Sequence, residues 1–218
     1  MKITSHQFIK SNPIIETDEK LILGTIHPHD VSSFKLPFFY GNRNSLWKIF
    51  RDIFPKDLPQ DYSVDDIKRL LSKRKIGISD TVLQCERITN SALDRDFRFI
   101  QLNDGLVNEI KESKIIQIYC TSGFGKNNAF RLFYVDILGL NLTKEIRQNK
   151  SVILPKEIFG REVTMSILPS PSGAANIALS KSIGYKKSLY FNSLSTTPVY
   201  DYKVSLYTEI FQQCLSKN

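Results

Sequence analysis

The sequence predicts an α/β protein, a three-layer α/β/α sandwich around a central, mostly parallel four-stranded sheet. Three observations lead there. Short apolar runs such as Lys20 to Thr25 end abruptly, as strands buried on both faces of a parallel sheet do. Segments with helical spacing separate those runs. Strands alternating with helices imply right-handed crossovers, which place helices on both faces of the sheet. A chain of 218 residues with 41% hydrophobic and 24% charged side chains can bury such a core, so a disordered segment is excluded. No repeat, low-complexity stretch or linker divides it, and one domain over residues 1–218 is expected.

Taken in order, Lys20 to Thr25, with Gly24 at its end, is the first core strand. A loop rich in aromatics and Pro follows. Asn44 reads as the N-cap of a helix that sets Leu46, Ile49, Phe50 and Phe54 on one face, and Pro55 ends it or begins the next loop. Val64 to Leu71 has helical spacing and runs into the basic cluster from Lys68 to Lys75, a solvated face. From Ile76 to Cys85 a short strand or turn is expected, then a helix starting at Asp80. Asn103 to Lys111 is helical, and Lys114 to Cys120 is the clearest strand. Gly123 and Gly125 break the chain before a helix through Phe130, Phe133 and Tyr134. Glu162 to Leu168 is the last strong strand, stopped by Pro169-Ser-Pro-Ser-Gly173. Helices near Ala174–Ser182 and Asp201–Leu215 complete a helical C-terminal part, residues 177–218.

Thirty Lys and Arg against 22 Asp and Glu give a net charge of +8, which favours a polyanionic partner. The excess is spread along the chain with no basic arm, so any anion-binding face must be assembled by folding. No apolar run approaches the roughly 20 residues that span a bilayer, and no signal-peptide pattern is present, so a soluble, cytoplasmic protein is expected. Cys85, Cys120 and Cys214 lie too far apart for a CxxC metal motif and read as buried thiols. His27 and His29 have no third ligand beside them, so no metal is expected. Gly123-Phe-Gly-Lys126 lacks the spacing of a phosphate loop.

Ligands of parallel α/β sheets sit beyond the carboxyl ends of the strands. Two loops there stand out, Gly24–Asn44 and Leu168–Asn176. Seven aromatic residues fall between Phe34 and Phe54. Phe38, Phe39 and Tyr40 are adjacent in a loop, where three rings cannot all enter one core. Either a planar ligand stacks on one of them or they pin the loop.

Leu21-Ile-Leu-Gly-Thr, then Phe38-Phe-Tyr-Gly-Asn-Arg-Asn-Ser-Leu-Trp47, then Gly77-Ile-Ser-Asp-Thr-Val-Leu-Gln-Cys-Glu-Arg87, then Leu168-Pro-Ser-Pro-Ser-Gly173 resemble, in that order, the uracil-DNA glycosylase superfamily. The mismatch-specific and hypoxanthine-DNA glycosylase branches are nearest. The resemblance covers about residues 20–176. It implies a monofunctional, cofactor-free enzyme, monomeric, that hydrolyses the N-glycosidic bond of a deaminated or mispaired base, uracil or hypoxanthine, in single- or double-stranded DNA.

The resemblance also implies roles. Asn44 matches the Asn that the hypoxanthine-type branch uses in its aromatic loop to position water, a role compatible with N-capping. Most branches carry Asp or Asn before the proline of the first turn. Here His27 precedes Pro28, which makes it a candidate general base or base contact. Thr25, Ile26, Phe39, Tyr40, Asp80 and Thr121 would hold the base, although Asp80 can equally cap the next helix. Thr121 stands where relatives carry an amide, and its hydroxyl cannot make the bidentate contact that selects uracil. Arg43, Pro169, Ser170, Ser172, Gly173 and Ala174 would grip DNA, with Ala174 a poor wedge in the place of a bulky residue. These departures keep a second class open, a glycosylase-fold DNA-binding module with weak or no catalysis. A third is a hydrolase of free nucleosides. If the two loops meet, Lys35, Arg43, Lys48, Lys181, Lys186 and Lys187 form a rim that faces DNA.

Overall fold

The computed structural model describes residues 2–43, 45–87 and 96–212, with residues 97, 99 and 100 described in backbone only. Among the described residues, eight strands form two sheets. Strands β2 (Lys20–Gly24), β3 (Ile76–Asp80), β6 (Gln117–Cys120), β7 (Ser151–Leu154) and β8 (Val163–Ile167) make a five-stranded sheet in the order β3-β2-β6-β8-β7. The first four are parallel, and β7 runs antiparallel at the edge. The expected four-stranded sheet is thus a five-stranded one. The added strand has only four residues, precedes Pro155, and leaves Ile153 60% exposed, so it lacks the buried apolar run that marks the inner strands.

Both faces of the sheet are covered. Ile22, Ile78 and Tyr119 pack with helices α1 (Ser45–Ile53), α2 (Val64–Lys73) and, near the C-terminus, α9 (Pro198–Gln212). Leu21, Leu23, Ile118 and Cys120 face the opposite way, onto α3 (Leu106–Glu112) and onto α4 (Ala129–Arg131), which continues as a π-helical stretch over Leu132–Ile137. The two faces alternate along β2 because successive side chains in a strand point oppositely. Short helices α5 (Lys144–Asn149) and α6 (Lys156–Phe159) complete that second layer. Helix α2 starts at a capping box, in which Ser63 and Asp66 satisfy each other's backbone amides.

No helix begins at Asp80. The chain passes through Thr81 into β4 (Val82–Arg87), the middle strand of a three-stranded antiparallel sheet with β1 (Lys2–Ser5) and β5 (Phe97–Leu102). The difference has a physical cause. Register shifts interrupt the β4–β5 ladder twice, and the buried positions become Val82, Cys85 and Arg87, a spacing that imitates a helix more than a strand. Cys85 and Cys120 are buried thiols, and burial pushes Cys120 well above the ordinary thiol range. Cys214 and the expected end of the last helix at Leu215 lie outside the described residues. The region after Ser172 holds a 3₁₀ turn (Gly173–Ala175), α7 (Asn176–Ser180) and α8 (Ile183–Lys187) before α9. Among the described residues, no helix is long and apolar enough to cross a membrane.

Register levels the ends of the parallel strands. Gly24 lies opposite Asp80, Leu23 opposite Cys120, and Cys120 opposite Ile167. The residues that follow each strand therefore emerge along one edge. Pairing of β1 with β4 brings the N-terminal segment to the same place, where the His6 amide donates to the Leu83 carbonyl at 2.8 Å.

Candidate functional site

A cleft of about 770 Å³ opens along that edge. Thr25 to Pro28, the aromatic loop, Asp80, Thr121 and the segment Ser170–Ala174 line it. Thr25 to Pro28 and the aromatic loop are one stretch of chain, so four segments remote in sequence share one cleft, as the levelled strand ends require.

The floor is a network of buried polar groups. His6 Nε2 lies 2.8 Å from Asp80 Oδ2, and the two side chains are only 1% and 7% exposed. His6 Nδ1 sits 3.1 and 3.2 Å from the backbone amides of Phe8 and Ile9. Because those amides can only donate, Nδ1 accepts and Nε2 carries the proton that is given to Asp80. A Cβ at Gly24 would overlap both Asp80 Oδ1 and the Tyr40 hydroxyl, so only glycine lets these groups close over the strand end.

Tyr40 adopts a φ of 57°, the left-handed region that side chains other than glycine rarely enter. That backbone turn carries its hydroxyl to within 2.8 Å of Thr121 Oγ1. Thr121 Oγ1 donates in turn to the Leu23 carbonyl at 3.4 Å, which leaves the tyrosine as donor to the threonine. Gly41 is required beside it, because a Cβ there would enter the Leu36 carbonyl. Phe38 and Phe39 are both buried with their rings edge to face at 5.3 Å, and Trp47 Nε1 donates to the Phe39 carbonyl at 2.7 Å, fixing the loop to α1. Phe39 still borders the cleft, as does half-buried Phe34.

His27 is buried with both nitrogens engaged. Nδ1 donates to the Pro28 carbonyl at 2.7 Å and Nε2 accepts from the Gln7 amide at 3.0 Å. Burial pushes its pKa below the ordinary imidazole value, and the Pro28 hydrogen bond only partly offsets this. The ring is neutral and has no nitrogen left for a water molecule. It shapes the Thr25–Pro28 turn, which buried Arg87 also braces through 2.8 Å to the His27 carbonyl. His29 Nδ1 meets Thr4 Oγ1 at 3.1 Å. Among the described residues, no three His, Cys, Asp or Glu side chains group so as to hold a metal ion.

The serine loop forms the opposite rim. Ser172, Gly173 and Ala174 are exposed, and Ser172 Oγ accepts from the Ala174 amide. Helix α9 anchors the loop from below. Tyr207 donates to the Pro169 carbonyl at 2.8 Å and Lys203 to the Ser172 carbonyl at 3.0 Å. Burial lowers the Lys203 pKa to about 8.

Of the residues singled out from sequence, the cleft gathers Thr25, Ile26, His27, Phe39, Tyr40, Arg43, Asp80, Thr121, Ser170, Ser172, Gly173 and Ala174. Pro169 lies behind it as an anchor of the loop. Asn44 lies outside the described residues, between Arg43 and Ser45, both of which line the cleft. Arg43 is the rim cation that borders it. Lys48 lies instead over the Tyr200 ring at 4.8 Å, and Lys35, Lys181, Lys186 and Lys187 are exposed. Sequence reasoning missed His6, which lies ahead of the motif-bearing span. The available signal was scarcity, since the chain has three histidines and all three lie around the Thr25–Pro28 turn and β1.

No family model matches the chain, and no curated protein does. Among solved structures, the chain is similar to the solution NMR structure of a protein from Methanosarcina acetivorans described provisionally as a uracil DNA glycosylase. The TM-score is 0.48 and the identity 16%, covering 97% of this chain and 100% of that one.

Proposed function

We propose that the protein is a DNA glycosylase that hydrolyses the N-glycosidic bond of a deaminated or mispaired base, with uracil and hypoxanthine the first candidates. The observation that carries this reading is convergence. Four separate segments picked out by their residues, including the two unusual loops, border a single cleft. Its size falls within the roughly 300–1,000 Å³ typical of small-molecule sites, and its chemistry is mixed in the way an extruded nucleotide needs. Half-buried Phe34 and Tyr40 offer ring faces and edges for a base, with buried Phe39 behind them. Thr25, Ile26, Asp80 and Thr121 surround the position of its polar edge and sugar.

The rim supplies the grip. The Ser170 and Ser172 hydroxyl protons and the Gly173 amide offer donors to phosphates, and Arg43 adds a charge. Extruding a nucleotide costs a few kcal/mol. With Ala174 too small to wedge the duplex apart, mismatched or single-stranded sites are the favoured substrates. Asn44, adjoining Arg43, orients water as a geometric aid, since an amide is no base at neutral pH. His27 is assigned to the turn rather than to proton transfer.

The test is base release from oligonucleotides carrying uracil or hypoxanthine, single-stranded and opposite each normal base. Release of either base from at least one of them is expected. No release from any, with binding to duplex intact, would leave a DNA-binding module.

A further inference from the structure

We propose that Asp80 is the catalytic carboxylate of this cleft and that His6 is the positioning residue that aims it; the proposal rests on the glycosylase reading. Asp80 has no helix to cap, because β4 follows it at Val82. Its backbone is fixed by β3 pairing and by Asn103 Nδ2, which donates to the Asp80 carbonyl at 3.2 Å. A carboxylate this deeply buried is costly unless hydrogen-bonded, and His6 meets that need at one oxygen only. Oδ1 has no hydrogen-bond partner among the described residues and lies over Gly24, and Asp80 lines the cleft.

The histidine is itself held. Two backbone amides bind Nδ1, fixing the tautomer, and the ring packs against Phe39 and His27 at 5.4 and 4.9 Å between centroids. His6 therefore cannot turn away from Asp80 without breaking three hydrogen bonds. The carboxylate is oriented before substrate arrives, the arrangement that makes electrostatic stabilisation effective.

The chemistry follows. The C1′–N bond breaks and its electron pair leaves with the base, giving an oxocarbenium sugar that the negative Asp80 faces. Water adds to C1′ as Oδ1 takes its proton, forming the C1′–O bond. The proton then passes to solvent and the departed base is protonated from solvent, so an abasic sugar and a free base result. An amide at Asn44 can orient this water but can neither accept its proton nor balance the cation.

The experiment measures single-turnover base release, together with affinity for duplexes holding a neutral tetrahydrofuran or a cationic pyrrolidine in place of the sugar. Wild-type protein should prefer the cation. Asp80→Asn, which is isosteric and keeps an acceptor for His6, should slow release by about a hundredfold or more and lose that preference while binding tetrahydrofuran as before. His6→Phe should slow release roughly tenfold, and His6→Gln, whose amide nitrogen can donate to Asp80, should restore it, which a purely structural role would not allow. Release by Asp80→Asn close to the wild-type rate, or no cation preference in the wild-type protein, overturns the proposal. If wild-type protein releases no base, the glycosylase reading falls. The cation preference and its loss in Asp80→Asn still decide whether this carboxylate faces the sugar.

Discussion

On the inner wall of the cleft, Asp80, His6, Tyr40 and Thr121 are buried or half-buried, bonded in pairs, and fitted over a glycine. On the outer rim, Ser172, Gly173, Ala174 and Arg43 stand in solvent, and the oxygens of Ser170 and Ser172 accept from amides of their own loop while their hydroxyl protons stay available. The same kinds of polar group behave differently in the two places. In a buried wall each hydrogen bond is strong and an unmade one is expensive. In solvent the rim's interactions are screened and individually small. The inner wall is suited to chemistry and the rim to holding a chain of phosphates. Substitutions in the two regions should therefore fail in different ways.

Gly24→Ala tests the inner wall most severely. The new methyl group would enter the space of Asp80 Oδ1 and the Tyr40 hydroxyl, while the backbone at Gly24 is held by its pairing with Asp80 of β3 and by the Thr81 amide, which donates to its carbonyl at 3.0 Å. One of the two polar groups must move. Overpacking of this kind costs about 1–3 kcal/mol, and a displacement near 1 Å in a reacting site costs about a hundredfold in rate. Thermal unfolding and single-turnover release measure the two effects. A stable variant with an unchanged rate would show that the two groups over Gly24 take no part in the reaction.

The glycine itself is plain in the sequence, but the reason for it is not. Strands β2, β6 and β8 are legible because burial on two faces demands continuous apolar runs, and the helices are legible from their caps and spacing. Strand β4 is not, since its bulges destroy the period of two. The aromatic and serine loops stand out by composition, but how they are held does not. The bond between His6 and Asp80 joins residues 74 apart, and Lys203 reaches Ser172 across 31, so neither leaves a local pattern. Even the three adjacent rings are resolved only by backbone geometry, with Phe38 and Phe39 buried together while the left-handed turn at Tyr40 sends the third to Thr121.

Lys203 joins the two regions, because it is buried like the inner wall yet carries the rim. Desolvation lowers its pKa to about 8 from an ordinary value of 10.5. Below pH 8 the ammonium is present in folded and unfolded chains alike, and the folded state bears the full burial cost. Between about pH 8 and 10.5 the folded lysine is neutral while the unfolded one keeps its proton, so this group's contribution to stability rises with pH. Tyrosines with raised pKa, such as Tyr134, oppose that rise. The difference between wild-type protein and Lys203→Met, followed by denaturant unfolding across this range, isolates it. The wild-type curve should gain on the variant as pH increases. A constant difference would mean that the ammonium is solvated and the Ser172 carbonyl is held by something else.

Arg43→Ala should have the smallest effect, and its form matters more than its size. The side chain is exposed at the mouth of the cleft, and its backbone amide is fixed by Asn42 Oδ1 at 2.9 Å, so the loop keeps its shape without the guanidinium. An exposed arginine that neutralises one phosphate contributes by releasing about one counterion, which gives a slope near 0.9 in log affinity against log salt for duplex DNA. The variant should bind duplex a few-fold more weakly at low salt, with its salt slope smaller by about 0.9 and its release rate at saturation unchanged. Lys48, turned onto Tyr200, supplies the control, since its replacement should leave the slope alone. If Arg43→Ala instead lowers the saturated rate and spares the slope, the arginine acts on the reacting nucleotide. It would then belong with Asp80 on the inner wall, and the boundary between the two regions would lie farther out than burial places it.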